Sequence, residues 1–177
     1  MKRGQVVLFT GLSGSGKSTL AGLLKDTYEM HGRRVTLLDG DILRQHLSPE
    51  LGFSRADRML NLQRAAFVAA EVARHGGVCI CAMIAPYAEA RERMRSMVRE
   101  AAGDFFEIYL STSLSVCEQR DPKALYRRAR AGELGQFTGV SDPYEVPSTS
   151  DLIIDTENML PSASIQEIGQ FLRIQNF

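Results

Sequence analysis

The chain has 177 residues, 44% of them hydrophobic, with Lys plus Arg and Asp plus Glu balanced at 21 each. That length fits one domain with a sizeable core, residues 1–177, and would cramp two. A balanced charge excludes the overall positive field that nucleic-acid and membrane-surface binders use, so neither partner is expected.

The N-terminus, Met1-Lys2-Arg3-Gly4, leads straight into the apolar run Val6-Val7-Leu8-Phe9. No apolar signal segment precedes that run, and a cytoplasmic protein is expected. The run reads as a strand entering Thr10-Gly11-Leu12-Ser13-Gly14-Ser15-Gly16-Lys17-Ser18-Thr19. Gly11, Gly16, Lys17 and Ser18 satisfy the phosphate-loop spacing G-x-x-x-x-G-K-[ST] between a strand and a helix. Glycines let the backbone curl so that its N–H groups face phosphate oxygens. Lys17 adds a cation at the β- and γ-phosphates, and the helix start adds a partial positive charge. Ser18 can ligate Mg²⁺. A glycine-rich tight turn is the bland reading of the same residues, and the flanking strand and helix speak against it. A nucleoside triphosphate site is expected.

A helix is predicted from Lys17 to about His31, with Gly32 as its stop. Val35-Thr36-Leu37-Leu38 reads as a buried strand ending at Asp39-Gly40-Asp41. Carboxylates at the carboxyl end of a parallel strand lie where ligands bind in open α/β sheets. Asp41 or Asp39 could hold Mg²⁺ through water or accept a proton from an attacking hydroxyl. Alternatively, Asp41 caps a short helix, Ile42–Leu47. Ser54 and Asp57 form a capping-box pattern opening a long helix that lasts to Gly76-Gly77. Its apolar stripe is Met59, Leu62, Ala66, Ala69 and Ala73; Arg58, Asn61 and Arg64 lie on another face.

Val78 to Ile84 is the next buried strand, followed by Ala85-Pro86-Tyr87. The apolar stretch Val78–Pro86 is far short of the ~20 residues of a membrane span. Cys79 and Cys81 would share one strand face and, with Cys117, read as buried free thiols rather than a zinc site or a disulfide framework. A charged helix is predicted from Glu89 to about Ala102, where Arg91, Glu92, Arg93 and Arg95 look like surface pairs. Phe105–Leu110 reads as a strand and Ser113 to about Gln119 as a helix. From Arg120 to Pro147, Arg127, Arg128 and Arg130 stand beside Gly132, Gly135 and Gly139, a composition that suits a basic lid over phosphates. Leu152–Asp155 makes a last strand, and Ile165, Ile168 and Leu172 mark a C-terminal helix. The fold class is α/β: a P-loop NTPase-type three-layer sandwich with a mainly parallel sheet.

Several stretches resemble the adenylylsulfate kinase (APS kinase) family over nearly the whole chain. They are the phosphate loop, Leu38-Asp39-Gly40-Asp41, Leu51-Gly52-Phe53-Ser54, Asp57-Arg58 with Asn61 and Arg64, and Ile84 with Pro86-Tyr87. Cys117–Asp121, Lys123, Leu125-Tyr126, Ala129–Gly132, Phe137-Thr138-Gly139 and Asp142–Glu145 complete them. The resemblance implies phosphorylation of the ribose 3′-hydroxyl of adenosine 5′-phosphosulfate (APS) by ATP. Lys17 and Asp41 would be catalytic, and Ser18 and Asp41 would hold Mg²⁺. Gly11, Ser13, Gly14, Ser15, Gly16, Lys17, Ser18 and Thr19 would bind ATP together with Arg120, Arg127 and Arg130. Asp39, Asp41, Arg44, Phe53, Arg58, Asn61, Ile84, Lys123 and Phe137 would bind the acceptor, the two phenylalanines sandwiching its adenine.

The resemblance further implies a homodimer and allows a fused or functional link to an ATP sulfurylase, since Asp-Gly-Asp-Ile and Ala-Pro-Tyr look like the kinase half of bacterial bifunctional proteins. The family's usual residues are replaced at Ile42, Leu60 and Gln63. Its serine that carries a phosphoserine intermediate is Ala85, which leaves direct in-line transfer. A kinase for another modified nucleotide and a catalytically silent nucleotide-binding module are the competing readings.

Overall fold

The computed structural model describes residues 3–174. Strands β1 (Gln5–Thr10), β2 (Val35–Asp39), β3 (Val78–Ala82), β4 (Asp104–Leu110) and β5 (Leu152–Ile154) form one sheet in the order β2-β3-β1-β4-β5. Every pairing is parallel. Such a sheet needs helical crossovers, and these cover both of its faces. The chain supplies α1 (Lys17–Met30), α2 (Gly40–His46), α3 (Arg55–Arg74), α4 (Ala88–Glu100), α5 (Leu114–Arg120), α6 (Leu125–Arg130) and α7 (Pro161–Phe171). The result is the expected three-layer α/β sandwich.

β1 lies at the centre, and the two-residue period of its side chains divides the core. Val6 and Leu8 join Cys79 and Cys81 in a layer packed under α3 and α4. Val7 and Phe9 join Ile80 and Ile108 in the opposite layer, under α1 and α7. The three cysteines are free and buried, as expected.

Three local outcomes differ from the sequence reading. Asp39, not Asp41, caps α2: its carboxylate accepts from the Asp41 N–H at 2.9 Å, and the helix starts at Gly40. β3 stops at Ala82, two residues early, although the Met83 N–H still donates to the Phe9 carbonyl at 3.2 Å. Beyond it the Ile84 carbonyl accepts from the Thr10 hydroxyl at 2.6 Å, while the backbone bond from the Gly11 N–H is stretched to 3.5 Å, so the regular ladder ends there. Arg91 and Arg95 are buried rather than on the surface. Glu107 and Asp151, which underlie α4, supply carboxylates that lie far off in the sequence. Glu89–Arg93 is the surface i,i+4 pair that the spacing predicts.

Candidate active site

A cavity of about 1060 Å³ opens at the carboxyl ends of the strands, where ligands sit in open α/β folds. One side of it is the phosphate loop. Gly16 stands at φ 94° as the residue before α1, and no side chain caps that helix. The first-turn N–H groups of a 14-residue helix are thereby left for an anion. A side chain at Gly11 would meet the Leu110 carbonyl and Ser15 Oγ, each at 2.9 Å, so the turn closes only on glycine.

Lys17 Nζ donates to the carbonyls of Gly11 (3.0 Å) and Leu12 (2.6 Å), holding the loop in its curl. Removal from water pushes the Lys17 amine down to about 8. Cys117, Asp39 and Asp41 pull it back up, and Lys123 lowers it further. Ser18 Oγ donates to Asp39 Oδ2 at 2.7 Å, so the strand-end carboxylate faces the first turn of α1.

The other side of the cavity comes from α2, α3, the stretch after β3, and the segment after α6. Arg44 lies 4.4 Å over the Phe53 ring and donates to the Gly52 carbonyl at 2.7 Å. Arg58, also against Phe53, donates through Nε to the Phe53 carbonyl at 2.8 Å and through Nη2 to the Gln136 carbonyl. Burial lowers the pKa of both guanidiniums, and Arg58 adds to the effect on Arg44. Phe137 faces the cavity and packs edge-on against Tyr126 at 5.0 Å. Asn61 is buried at the cavity wall with its Oδ1 unpartnered, and Thr138 Oγ1 is in the same position. Between the two sides Lys123 is ion-paired with Asp41. The arrangement offers cationic and N–H donors at one end, aromatic faces at the other, and carboxylates where the two meet.

The model of the family described as adenylylsulphate kinase matches residues 3–155. The chain belongs to that family. An adenylyl-sulfate kinase of Synechococcus sp. is 44% identical over 176 residues, covering 99% of this chain and 98% of the relative. The Mycobacterium tuberculosis APS kinase CysC, solved in complex with AMPPNP and APS, superposes with a TM-score of 0.94. It is 43% identical, with 98% of this chain and 99% of that one covered. A sulfate adenylyltransferase of Neosartorya fischeri is 44% identical over 176 residues, and there the chain spans 31% of the relative's length.

Most residues expected at the site by adenylylsulfate kinase resemblance line the cavity. On the phosphate-loop side these are Ser13, Gly14, Gly16, Lys17, Ser18, Thr19 and Arg120. Opposite them stand Asp39, Asp41, Arg44, Phe53, Arg58, Asn61, Ile84, Lys123 and Phe137. Gly11 and buried Ser15 shape the loop from behind. Arg127 and Arg130 do not reach the cavity: Arg130 pairs with Glu118, while Arg128 lines the wall in their place. Arg64 is also turned away, bonded to the Leu47 carbonyl and paired with Glu50.

Among the lining residues that sequence reasoning passed over are Thr156, Glu157, Met159, Leu160 and Pro161. Thr156 Oγ1 donates to the Ser15 carbonyl at 2.9 Å, and Arg120 donates to the Thr156 carbonyl at 2.6 Å. Their signal was position: they follow β5, at the same sheet edge as the other strand-end loops. No group of three or more His, Cys, Asp or Glu among the described residues forms a metal cluster, and none of the described helices is long and apolar enough to cross a membrane.

Proposed function

We propose that this chain transfers the γ-phosphoryl group of ATP to the ribose 3′-hydroxyl of APS, giving ADP and 3′-phosphoadenosine 5′-phosphosulfate. The observation that carries this reading is the two-sided cavity, with a phosphate loop facing a pair of aromatic rings flanked by guanidiniums. Phe53 and Phe137 offer π-faces to an adenine, and Arg44 and Arg58 suit a phosphosulfate. Unpartnered Asn61 Oδ1 is an acceptor for a ribose hydroxyl. The phosphate loop, Arg120 and Thr156–Pro161 would take ATP, and residues 120–147 would act as the lid.

Transfer forms a bond between the 3′-oxygen and the γ-phosphorus while the bond to the β-γ bridging oxygen breaks. Ala85 has no hydroxyl, so we assign direct in-line displacement without a phosphoserine intermediate. Asp41 would orient the attacking hydroxyl and take its proton, which requires the substrate to displace or share Lys123. Ser18, Asp39 and Asp41 supply the hard oxygen donors that Mg²⁺ prefers, and the Ser18–Asp39 contact brings two of them together. When bound, Mg²⁺ neutralises charge on the phosphates.

Ile42, Leu60 and Gln63, the departures from the family pattern, are exposed and do not line this cavity, which counts against an altered acceptor. The protein is read as one domain that assembles as a homodimer, with exposed Leu60 and Phe67 on α3 as apolar side chains available to a second copy. A coupled assay with ATP, Mg²⁺ and APS tests the activity. Product is expected from the native chain, none from Lys17→Ala, and about a hundredfold less from Asp41→Ala. Tight ATP binding without transfer to any acceptor in a nucleotide panel would favour the silent module instead.

A further inference from the structure

Arg91 lies in the first turns of α4, 3% exposed, and does not touch the cavity. Its guanidinium nevertheless ties together three stretches that are distant in the sequence. Nη1 donates to the Ala85 carbonyl at 2.7 Å, Nη2 donates to the Glu145 carbonyl at 2.9 Å, and Nε faces Glu107 Oε1 at 3.4 Å. Ala85 belongs to the Ile84–Pro86 wall of the cavity and stands at φ 47°, a left-handed conformation that an alanine holds only when its surroundings fix it.

Glu145 belongs to the return limb of the segment that carries Phe137. Its N–H donates to the Pro86 carbonyl at 2.8 Å, and its Oε2 accepts from the Ala88 N–H at 2.7 Å. Three residues earlier, Asp142 accepts from the Tyr87 hydroxyl at 2.8 Å, and its N–H donates to the Phe137 carbonyl at 3.1 Å. A path of side-chain and backbone hydrogen bonds therefore runs from Arg91 to both walls.

We propose that Arg91 is a positioning residue for the acceptor nucleotide, setting the separation between the Ile84–Pro86 wall and the wall that carries Phe137. This rests on the reading that this side of the cavity takes APS. The arginine fork is needed because it reaches two carbonyls in one plane while still facing a carboxylate. A lysine ammonium balances Glu107 but cannot span both carbonyls. Arg95, one turn further along α4, is the matched control. It is also buried, bonds Asp151 at 2.9 Å and lies 3.7 Å from Glu107, yet it makes no contact with either wall.

Initial rates with APS and ATP varied separately, on the native chain and on Arg91→Lys, Arg91→Gln and Arg95→Gln, decide the matter. Arg91→Lys should keep most of the thermal stability yet raise the KM for APS about tenfold or more, with the KM for ATP within about twofold. Arg91→Gln should show the same KM split with a lower Tm. Arg95→Gln should lower Tm without moving the KM for APS. The proposal is overturned if Arg91→Lys binds APS as the native chain does, if both KM values rise together, or if Arg95→Gln raises the KM for APS equally. It is also overturned if neither Arg91 variant folds, since the arginine would then serve the fold. A native chain that fails to phosphorylate APS while binding ATP would instead sink the functional reading, before any variant is compared.

Discussion

Lys17 carries its charge where the protein disfavours it. Loss of water around the amine pushes it down to about 8, from 10.5 in an exposed lysine. Because the folded value lies below the unfolded one, this group favours folding progressively as pH rises from about 8 to 10.5, and its penalty is full below 8. A triphosphate reverses the balance by favouring the protonated amine. Nucleotide affinity should therefore fall above pH 8, approaching tenfold per pH unit, as the free protein loses the proton that the complex retains. Calorimetry at pH 8.5 in two buffers of different ionisation enthalpy should register proton uptake on binding, and Lys17→Met should abolish it. Equal heats in both buffers would refute the coupling. Lys17 was legible in the sequence because its loop is a local pattern of ten consecutive residues. Arg91 was not, because its three partners lie 6, 16 and 54 positions away and only the folded sheet brings them to it.

At the scale of elements, α1 to α5 were legible to within about two residues, whereas the short α6 was not placed and α7 was marked only by its apolar positions. Ser54 accepts from the Asp57 N–H, as the capping-box spacing predicts, and Ser113 likewise accepts from the Val116 N–H. Among the strands, β3 was read two residues too long, since its apolar run continues past the last residue paired in the regular ladder. The cavity wall after β5 was missed for a related reason: its role depends on which strand ends lie side by side.

One junction is tighter than any pattern shows. Gly4 leads into β1 directly beneath the end of α3, and a Cβ there would sit 2.0 Å from the Ala73 carbonyl oxygen. The same residue accepts from the Asp104 N–H at 2.9 Å, so it cannot move away without disturbing the start of β4. Gly4→Ala should cost about 1–3 kcal/mol of stability through forced displacement of α3. Urea unfolding should show that loss, while the activity of the folded fraction stays near native, since the junction lies at the opposite end of β1 from the phosphate loop. A substitution with no effect on the midpoint would mean that α3 yields freely at its C-terminal end.

For the whole molecule, the question is whether two core layers behave as one. Leu62 anchors the layer under α3 and α4, and Leu24 the layer under α1 and α7; both are buried. The sheet separates them, but β1 contributes alternate residues to each, so neither layer can loosen without exposing one face of the central strand. That sharing is the physical basis for reading the chain as a single cooperative unit, and it places both sides of the site on the same rigid edge. Leu62→Ala and Leu24→Ala should each cost about 2–5 kcal/mol. Each should also shift one transition rather than split it. The chain has five tyrosines and no tryptophan. Tyr87 lies in the first layer and Tyr28 in the second, so tyrosine fluorescence samples both. Far-UV circular dichroism and tyrosine fluorescence should give coincident curves for the native chain and both variants. If Leu24→Ala instead melts one layer early, with the two signals separating, the layers are independent, and the catalytic edge would then be held by β1 alone.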